Sequence, residues 1–289
     1  RDKVLSYEEI LRLSRIFAEL GIRKIRITGG EPLLRRELET LIAGLSQVEQ
    51  IGDLALTTNG FNFYRKAEKL KAAGLKRITI SLDSLREDRF FQITRSREFG
   101  KVLKSIEAAR KWDFRPVKIN CVVVRGFNDD EIPEFASFAR DHGLAVRFIE
   151  FMPLDEDEQW NREQVVTGEE MLERLQNQFE LVDRPSTDPS ETSRNFDFPG
   201  SEGSIGLITT VSRPFCGECS RIRLTADGKI RTCLFSMVEH DVKERLRGGA
   251  GDAELREFIK ATALKKESGH KINEPDFVPP PRTMSYIGG

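Results

Sequence analysis

Between Ser6 and Leu20 the apolar residues Ile10, Leu13, Phe17 and Leu20 return at helical spacing, with Ser6 and Glu9 as a start signal and Gly21 as a stop. A short apolar strand over residues 24–28 follows and ends in Gly29-Gly30-Glu31-Pro32, and a second amphipathic helix covers about 35–45. The alternation then repeats. A strand over 53–57 ends in Thr58-Asn59-Gly60 and leads into a helix reaching about residue 73. A strand over 77–81 ends in Leu82-Asp83-Ser84, with helical segments on to Trp112. A strand over 117–124 ends in Arg125-Gly126, and a helix runs from about 129 to 142. A fifth strand, over 145–151, ends in Met152-Pro153.

Strands that alternate with helices specify a parallel sheet with right-handed crossovers. In such sheets and barrels ligands sit at the carboxyl ends of the strands. Those ends carry Gly-Gly-Glu, Thr-Thr-Asn-Gly, Ser-Leu-Asp and Glu-Phe-Met, so polar chemistry is expected along one rim. Five such units do not close an eight-stranded barrel. The predicted fold class is α/β, an open partial (βα) barrel that is N-terminally incomplete, with one further strand expected ahead of it.

The pattern changes after Met152. Residues 154–160 are acidic, a helix is predicted over 169–179, and 184–203 is rich in Pro, Ser, Thr and Asp, which predicts a long irregular connection. A strand over 205–211, a cysteine hairpin, a helix over about 253–264 and a Pro-rich tail complete the chain. These shifts place a domain boundary near residue 154, dividing 1–154 from 155–289.

Composition narrows the partners. The 289 residues hold 46 Lys plus Arg against 47 Asp plus Glu, a net charge of −1 that gives no reason to expect nucleic acid or an anionic membrane. No apolar run approaches the roughly 20 residues of a membrane span, and no signal-peptide pattern opens the chain. The sequence starts at Arg1 and enters a helix almost at once, from which a preceding segment is expected.

Three of the 4 cysteines fall in one stretch, residues 213–235, as Cys216, Cys219 and Cys233 in the spacing C-x2-C-x13-C. That clustering argues for metal in a reducing compartment and against a disulfide framework. A turn of two residues lets the first two thiolates face one way, and a hairpin turning at Ala226-Asp227-Gly228-Lys229 returns the third. Three thiolates leave a fourth position open. One reading is a zinc knob completed by His240; the other is a [4Fe–4S] cluster with one iron open to substrate. Arg221 and Arg223 alternate beside the second cysteine, which suits an anionic ligand and favours the cluster.

On the rim, Gly29-Gly30-Glu31 is either a tight turn or a place where backbone approaches a ligand closely. Lys118 and Asn120 alternate on an otherwise apolar strand, and Lys118, like Arg26, either snorkels outward or points into a lined cavity. Cys121 reads as a buried packing residue. His142, His240 and His270 belong to no nucleophile or acid–base set, so hydrolytic catalysis has little support.

Taken in order, KIRITGGEPLLRR, LALTTNG, ITISLDS, VKINCVVVRGFNDDE, VRFIEFMP, the cysteine stretch and the final Ile-Gly-Gly resemble the radical SAM GTP 3′,8-cyclase family of molybdenum-cofactor biosynthesis, over nearly the whole chain. The resemblance implies an enzyme that uses S-adenosylmethionine and an N-terminal [4Fe–4S] cluster to make a 5′-deoxyadenosyl radical. That radical takes hydrogen from C3′ of GTP, and the ribose carbon attacks C8 of guanine. It implies S-adenosylmethionine contacts at Gly30, Glu31, Ser81, Asn120 and Met152, and GTP contacts at Arg26, Thr57, Lys118, Arg221, Ile222 and Arg223. It gives Cys216, Cys219 and Cys233 to a second [4Fe–4S] cluster and a catalytic part to Gly288 and Gly289. An electron donor, product transfer to cyclic pyranopterin monophosphate synthase and a cytoplasmic setting follow, with a homodimer and an organellar matrix left open. The family's CxxxCxxC is not in this sequence, so the chain as given is expected not to generate the radical. The alternative is a non-catalytic partial barrel with a structural zinc knob.

Overall fold

The computed structural model describes residues 3–154 and 160–287. Helix α1 (Tyr7–Glu19) opens on the capping box read from the sequence: Ser6 Oγ accepts from the Glu9 amide and Glu9 Oε2 from the Ser6 amide. Five strand–helix units follow: β1 (Lys24–Ile27) with α2 (Leu38–Ser46), β2 (Asp53–Thr58) with α3 (Phe63–Ala72), β3 (Arg77–Ser81) with α4 (Glu87–Thr94) and α5 (Phe99–Lys111), β4 (Val117–Val123) with α6 (Ile132–His142), and β5 (Ala145–Glu150) with α7 (Gly168–Gln176). Strands β1 to β5 pair in sequence order and all in parallel. Every right-handed crossover therefore lands on the same face of the sheet, which is how a partial barrel is wound.

The strands were built for one apolar face. Leu54 and Leu56, Ile78 and Ile80, Ile119, Cys121 and Val123, and Val146 and Phe148 pack under the helices in the main core. Each buried aliphatic or aromatic side chain contributes about 1.5–3 kcal/mol. Cys121 is among them, as expected of a packing residue, and burial pushes its thiol well above the ordinary range.

Beyond residue 154 the sheet continues. Strand β6 (Val182–Arg184), β7 (Arg194–Asp197) and β8 (Ser204–Ile208) complete an eight-stranded order β1-β2-β3-β4-β5-β8-β7-β6, with β8 parallel to β5 and β7 and β6 antiparallel. The stretch expected to be irregular thus contains β7, whose Phe196 is buried and reaches the main core. The strand expected over 205–211 stops at Ile208, because the amides of Val211 and Ser212 turn away to the Glu150 carboxylate. The expected boundary near 154 divides the course of the chain but not its sheet.

A three-stranded sheet carries the cysteine hairpin: β9 (Arg223–Leu224), β10 (Lys229–Arg231) and β11 (His240–Asp241). Helices α8 (Val242–Arg247) and α9 (Asp252–Ala263) follow, and their Val242, Leu246, Leu255 and Ile259 share a core with Leu13, Ile16 and Phe17 of α1. The last turn, α10 (Met284–Ile287), packs with Leu154, Val211, Phe235 and Ile272.

Candidate active site

Period-two alternation turns the remaining residues of the strands to the face away from the helices. There the Arg26 guanidinium donates to Thr57 Oγ1 at 3.1 Å and Thr79 Oγ1 at 3.0 Å, spanning three strands. Arg147 Nε donates to Asn120 Oδ1 at 3.0 Å and its Nη2 reaches Thr79 Oγ1 at 3.4 Å. Lys118 is in register with Thr79 and lies two residues before Asn120, so it belongs to the same face. Arg77 is there too, paired with Asp53.

These cations crowd one another in a partly dry space. Burial first, then the charges of Arg147, Arg77 and Arg26, brings the Lys118 ammonium down to about 8. Burial and the charges of Arg26 and Arg77 bring Arg147 down to about 9. Arg26, on the outermost strand and still in contact with solvent, is lowered by desolvation and Arg77. Among the described residues none of Arg26, Lys118 and Arg147 has a carboxylate at ion-pair distance; Arg77 has Asp53. A group in which positive charges outnumber nearby carboxylates has the electrostatics that suit a polyanion. Lys118 and Arg26 thus share the strand face turned away from the helices, with Arg26 exposed at the sheet edge.

Arg147 escaped the sequence reading, which gave the strand over 145–151 without singling it out. One signal was present: Gly206, a glycine inside the neighbouring apolar strand β8. It is in register with Arg147, and a Cβ on it would lie 3.1 Å from Arg147 Cγ and 3.0 Å from Asn195 Oδ1. A side chain there would displace the stem of the arginine.

The rim assembles at the carboxyl ends of the same strands. Gly29 has φ +143°, a conformation that favours glycine, and the Gly-Gly turn leads to Glu31. Both Glu31 oxygens are engaged by protein donors: Oε1 by the Leu33 amide at 2.9 Å and Thr58 Oγ1 at 2.7 Å, Oε2 by the Asn59 amide at 2.8 Å. Glu31 thus braces the first loop against the second. Ser81 ends β3 half-buried, and Asn120 orients Arg147. Met152 lies in the apolar cluster that receives α10, and the Met284 amide donates to Leu154 O at 3.2 Å.

Glu150, missed from sequence, is fully buried without a cation and is satisfied instead by the amides of Gly168, Val211 and Ser212 and the Ser212 hydroxyl. One carboxylate thereby fixes the end of β5, the start of α7 and the entry to the cysteine stretch.

In that stretch the Cys219 amide donates to Cys216 O at 3.1 Å, the tight turn expected between the first two cysteines. Cys233 follows β10, and the Phe235 amide points at its Sγ at 3.4 Å. Arg221 Nε points at Cys219 Sγ at 3.2 Å, and its guanidinium lies over the Phe215 ring at 5.1 Å. Burial alone would raise the Cys219 thiol, but the Arg221 amide and guanidinium bring it below the ordinary range. Burial pushes Cys233 up. Arg223 is brought down to about 10 by burial and then by Arg221, while the thiols of Cys233 and Cys219 hold it up, which places it beside them. Ile222 faces the other way: its side chain packs in the α1–α9 core, so only its backbone is free for a ligand.

Among the described residues no three His, Cys, Asp or Glu side chains converge as a single metal ion requires. A cluster that gives each thiolate its own iron does not require that convergence, and N–H donors to sulfur suit it. The donor set fits the cluster. His240 pairs with Ile230 and opens onto an acidic cleft of about 490 Å³ with Glu239, Asp241 and Glu244. The histidine beside the cysteines is His270: it packs on Phe235 with ring centroids 5.1 Å apart, next to Gly269, which lies against Cys216. Gly288 and Gly289 lie outside the described residues.

Residues 1–139 match the Radical SAM superfamily and residues 144–272 match Molybdenum Cofactor Synthesis C. The chain is 44% identical over 286 residues to a GTP 3′,8-cyclase of Syntrophomonas wolfei, covering 99% of this chain and 88% of that one. It is 40% identical to the mitochondrial GTP 3′,8-cyclase of Arabidopsis thaliana, covering 100% of this chain and 74% of that one. In fold it is similar to Streptococcus suis SuiB, with a TM-score of 0.59 at 14% identity, covering 98% of this chain and 70% of that one.

Proposed function

We propose residue roles for a chain that belongs to the GTP 3′,8-cyclase family of the radical SAM superfamily, whose reaction joins ribose C3′ of GTP to C8 of its own guanine in molybdenum cofactor biosynthesis. The observation that carries the roles is the group of inner-face cations without carboxylates, in the same chain as three grouped thiols. Arg26, Lys118 and Arg147 hold the triphosphate, with Thr57 and Thr79 fixing the Arg26 and Arg147 forks. Arg221, Arg223 and the Ile222 backbone serve the guanine end beside the hairpin. Cys216, Cys219 and Cys233 hold a second [4Fe–4S] cluster.

The Gly29-Gly30 backbone, Ser81 and Met152 receive S-adenosylmethionine, Asn120 steadies Arg147, and Glu31 keeps the rim loops in place. When bound with its cluster, S-adenosylmethionine supplies a hydrogen-abstracting radical. The chain's own work is to orient GTP, exclude water and keep C3′ and C8 facing each other. Helix α10 docks in the same apolar cluster as Met152, and the catalytic part is given to Gly288 and Gly289, which follow it in sequence. The reading brings with it a one-electron donor, product transfer to cyclic pyranopterin monophosphate synthase, and a reducing compartment such as the cytoplasm. Among the described residues no helix is long and apolar enough to cross a membrane.

Lys118→Ala tests it. Each charge-assisted contact contributes roughly 1.5–3 kcal/mol, so GTP affinity is expected to fall about tenfold or more with the fold intact. Unchanged affinity would remove the triphosphate from this face. For the hairpin, anaerobic reconstitution is expected to load about four irons, lost in Cys219→Ser. Stoichiometric zinc in preference to iron would overturn the cluster.

A further inference from the structure

The loop between β6 and β7, residues 185–193, leaves one edge of the sheet and reaches the strand at the other edge. Asp188 Oδ2 lies 2.7 Å from Lys24 Nζ, at the start of β1. The loop thus runs from Arg194, paired with Leu207 near the carboxyl end of β8, to the amino end of β1.

The loop brings polar groups to those cations. Ser193 and Asn195 are buried, and both crowd the vacant Cβ position of Gly206, at 3.2 Å and 3.0 Å, beside Arg147 Cγ at 3.1 Å. Asn195 Nδ2 donates to Glu191 Oε1 at 2.9 Å, so a buried amide holds the Glu191 carboxylate in place. Among the described residues Glu191 is the carboxylate whose charge acts on both Lys118 and Arg147. An exposed acid in a loop is ordinarily a solvated bystander. This one is positioned by an internal hydrogen bond beside a surplus of positive charge. Being solvent-exposed, it does not cancel that surplus. What it can do is repel the next negative group that reaches it.

The geometry points to Glu191 as the residue that sets how many phosphates the cation group accepts: three phosphoryl groups occupy Arg26, Lys118 and Arg147, and a fourth meets the carboxylate. This rests on the reading that these cations hold the triphosphate of GTP.

Calorimetric titration of the wild-type chain and Glu191→Gln with guanosine di-, tri- and tetraphosphate tests it. Glu191→Gln is expected to leave diphosphate affinity unchanged, tighten triphosphate by up to about twofold and tighten tetraphosphate about three- to fivefold, as removal of a nearby exposed like charge would do. Glu191→Lys is expected to favour the tetraphosphate further. An equal gain for all three ligands, or no gain for any, overturns the proposal. If the wild-type chain binds none of the three, the triphosphate reading itself fails and this one with it, so the two failures are told apart.

Discussion

Arg147 on the inner face of the sheet and Arg231 beneath the cysteine hairpin are both withdrawn from water, but they are partnered in opposite ways. Arg231 is fully buried and donates to Glu239 at 2.6 Å and to the carbonyls of Leu234 and Ser236, which flank the Cys233 loop. Glu239 also accepts from Arg282 at 2.7 Å, and Arg282 reaches Asp227 in the hairpin turn at 2.8 Å and 3.0 Å. Charge is neutralised link by link, from hairpin to tail. Arg147 has an asparagine, a threonine and three cationic neighbours. The chained arginines are architecture. The crowded ones repel one another, which on the proposed reading an incoming anion would relieve.

The largest expected effect follows from cutting the chain of charges. Removing one member of a buried ion network costs about 3–5 kcal/mol, so Arg231→Ala is expected to lower unfolding free energy by that order in urea titration. Arg147→Met is expected to do the reverse: equal or higher stability, with triphosphate affinity down roughly tenfold or more. A variant at Arg147 that unfolds as readily as one at Arg231 would break the comparison.

A smaller effect is in pH. Lys118 stands near 8 in the free chain against an ordinary 10.5, and a bound anion favours its charged form. Affinity for inorganic tripolyphosphate is therefore expected to be level well below pH 8 and to fall as pH rises past it, with Lys118→Arg removing the fall. The same depression makes the unfolded chain the tighter proton binder, so stability should rise from about pH 8 toward 10.5. The smallest effect belongs to Asp83, a carboxylate given one amide, Val122 N at 2.8 Å, and raised to about 6 by burial. Folded chains hold that proton more tightly than unfolded ones, so its contribution is present below about 3.8 and lost as pH rises through 6. Asp83→Asn is expected to raise the thermal midpoint slightly at pH 7 and not at pH 4.

The alternation of α1 to β5 was legible because each strand and helix carries its own periodicity. The join of β8 to β5 was not, since register between Ala145 and Ser204 is a long-range fact that no local pattern holds. Cys216, Cys219 and Cys233 announced themselves by spacing. Arg147 and His270 did not, because what singles them out is a neighbour distant in sequence: Asn195 and Gly206 for one, Phe235 and Cys216 for the other. Ile222 was read with its flanking arginines, but alternation sends its side chain into the α1–α9 core. Glu150 looked like one more rim acid, and only the fold reveals its four donors.

The ion pair between Lys24 and Asp188 has a mechanical consequence. Strands β1 to β5 are joined to their neighbours by ladders of hydrogen bonds, whereas β1 is tied to the β6–β7 loop by a solvent-facing ion pair, worth about 0–1 kcal/mol. Thermal energy alone is enough to part the clip, while the remaining wall, which carries Lys118 and Arg147, keeps its spacing. Salt acts on such a fastening as it would on any exposed pair of charges. Rising ionic strength loosens that loop from β1 before it disturbs the ladders between the strands.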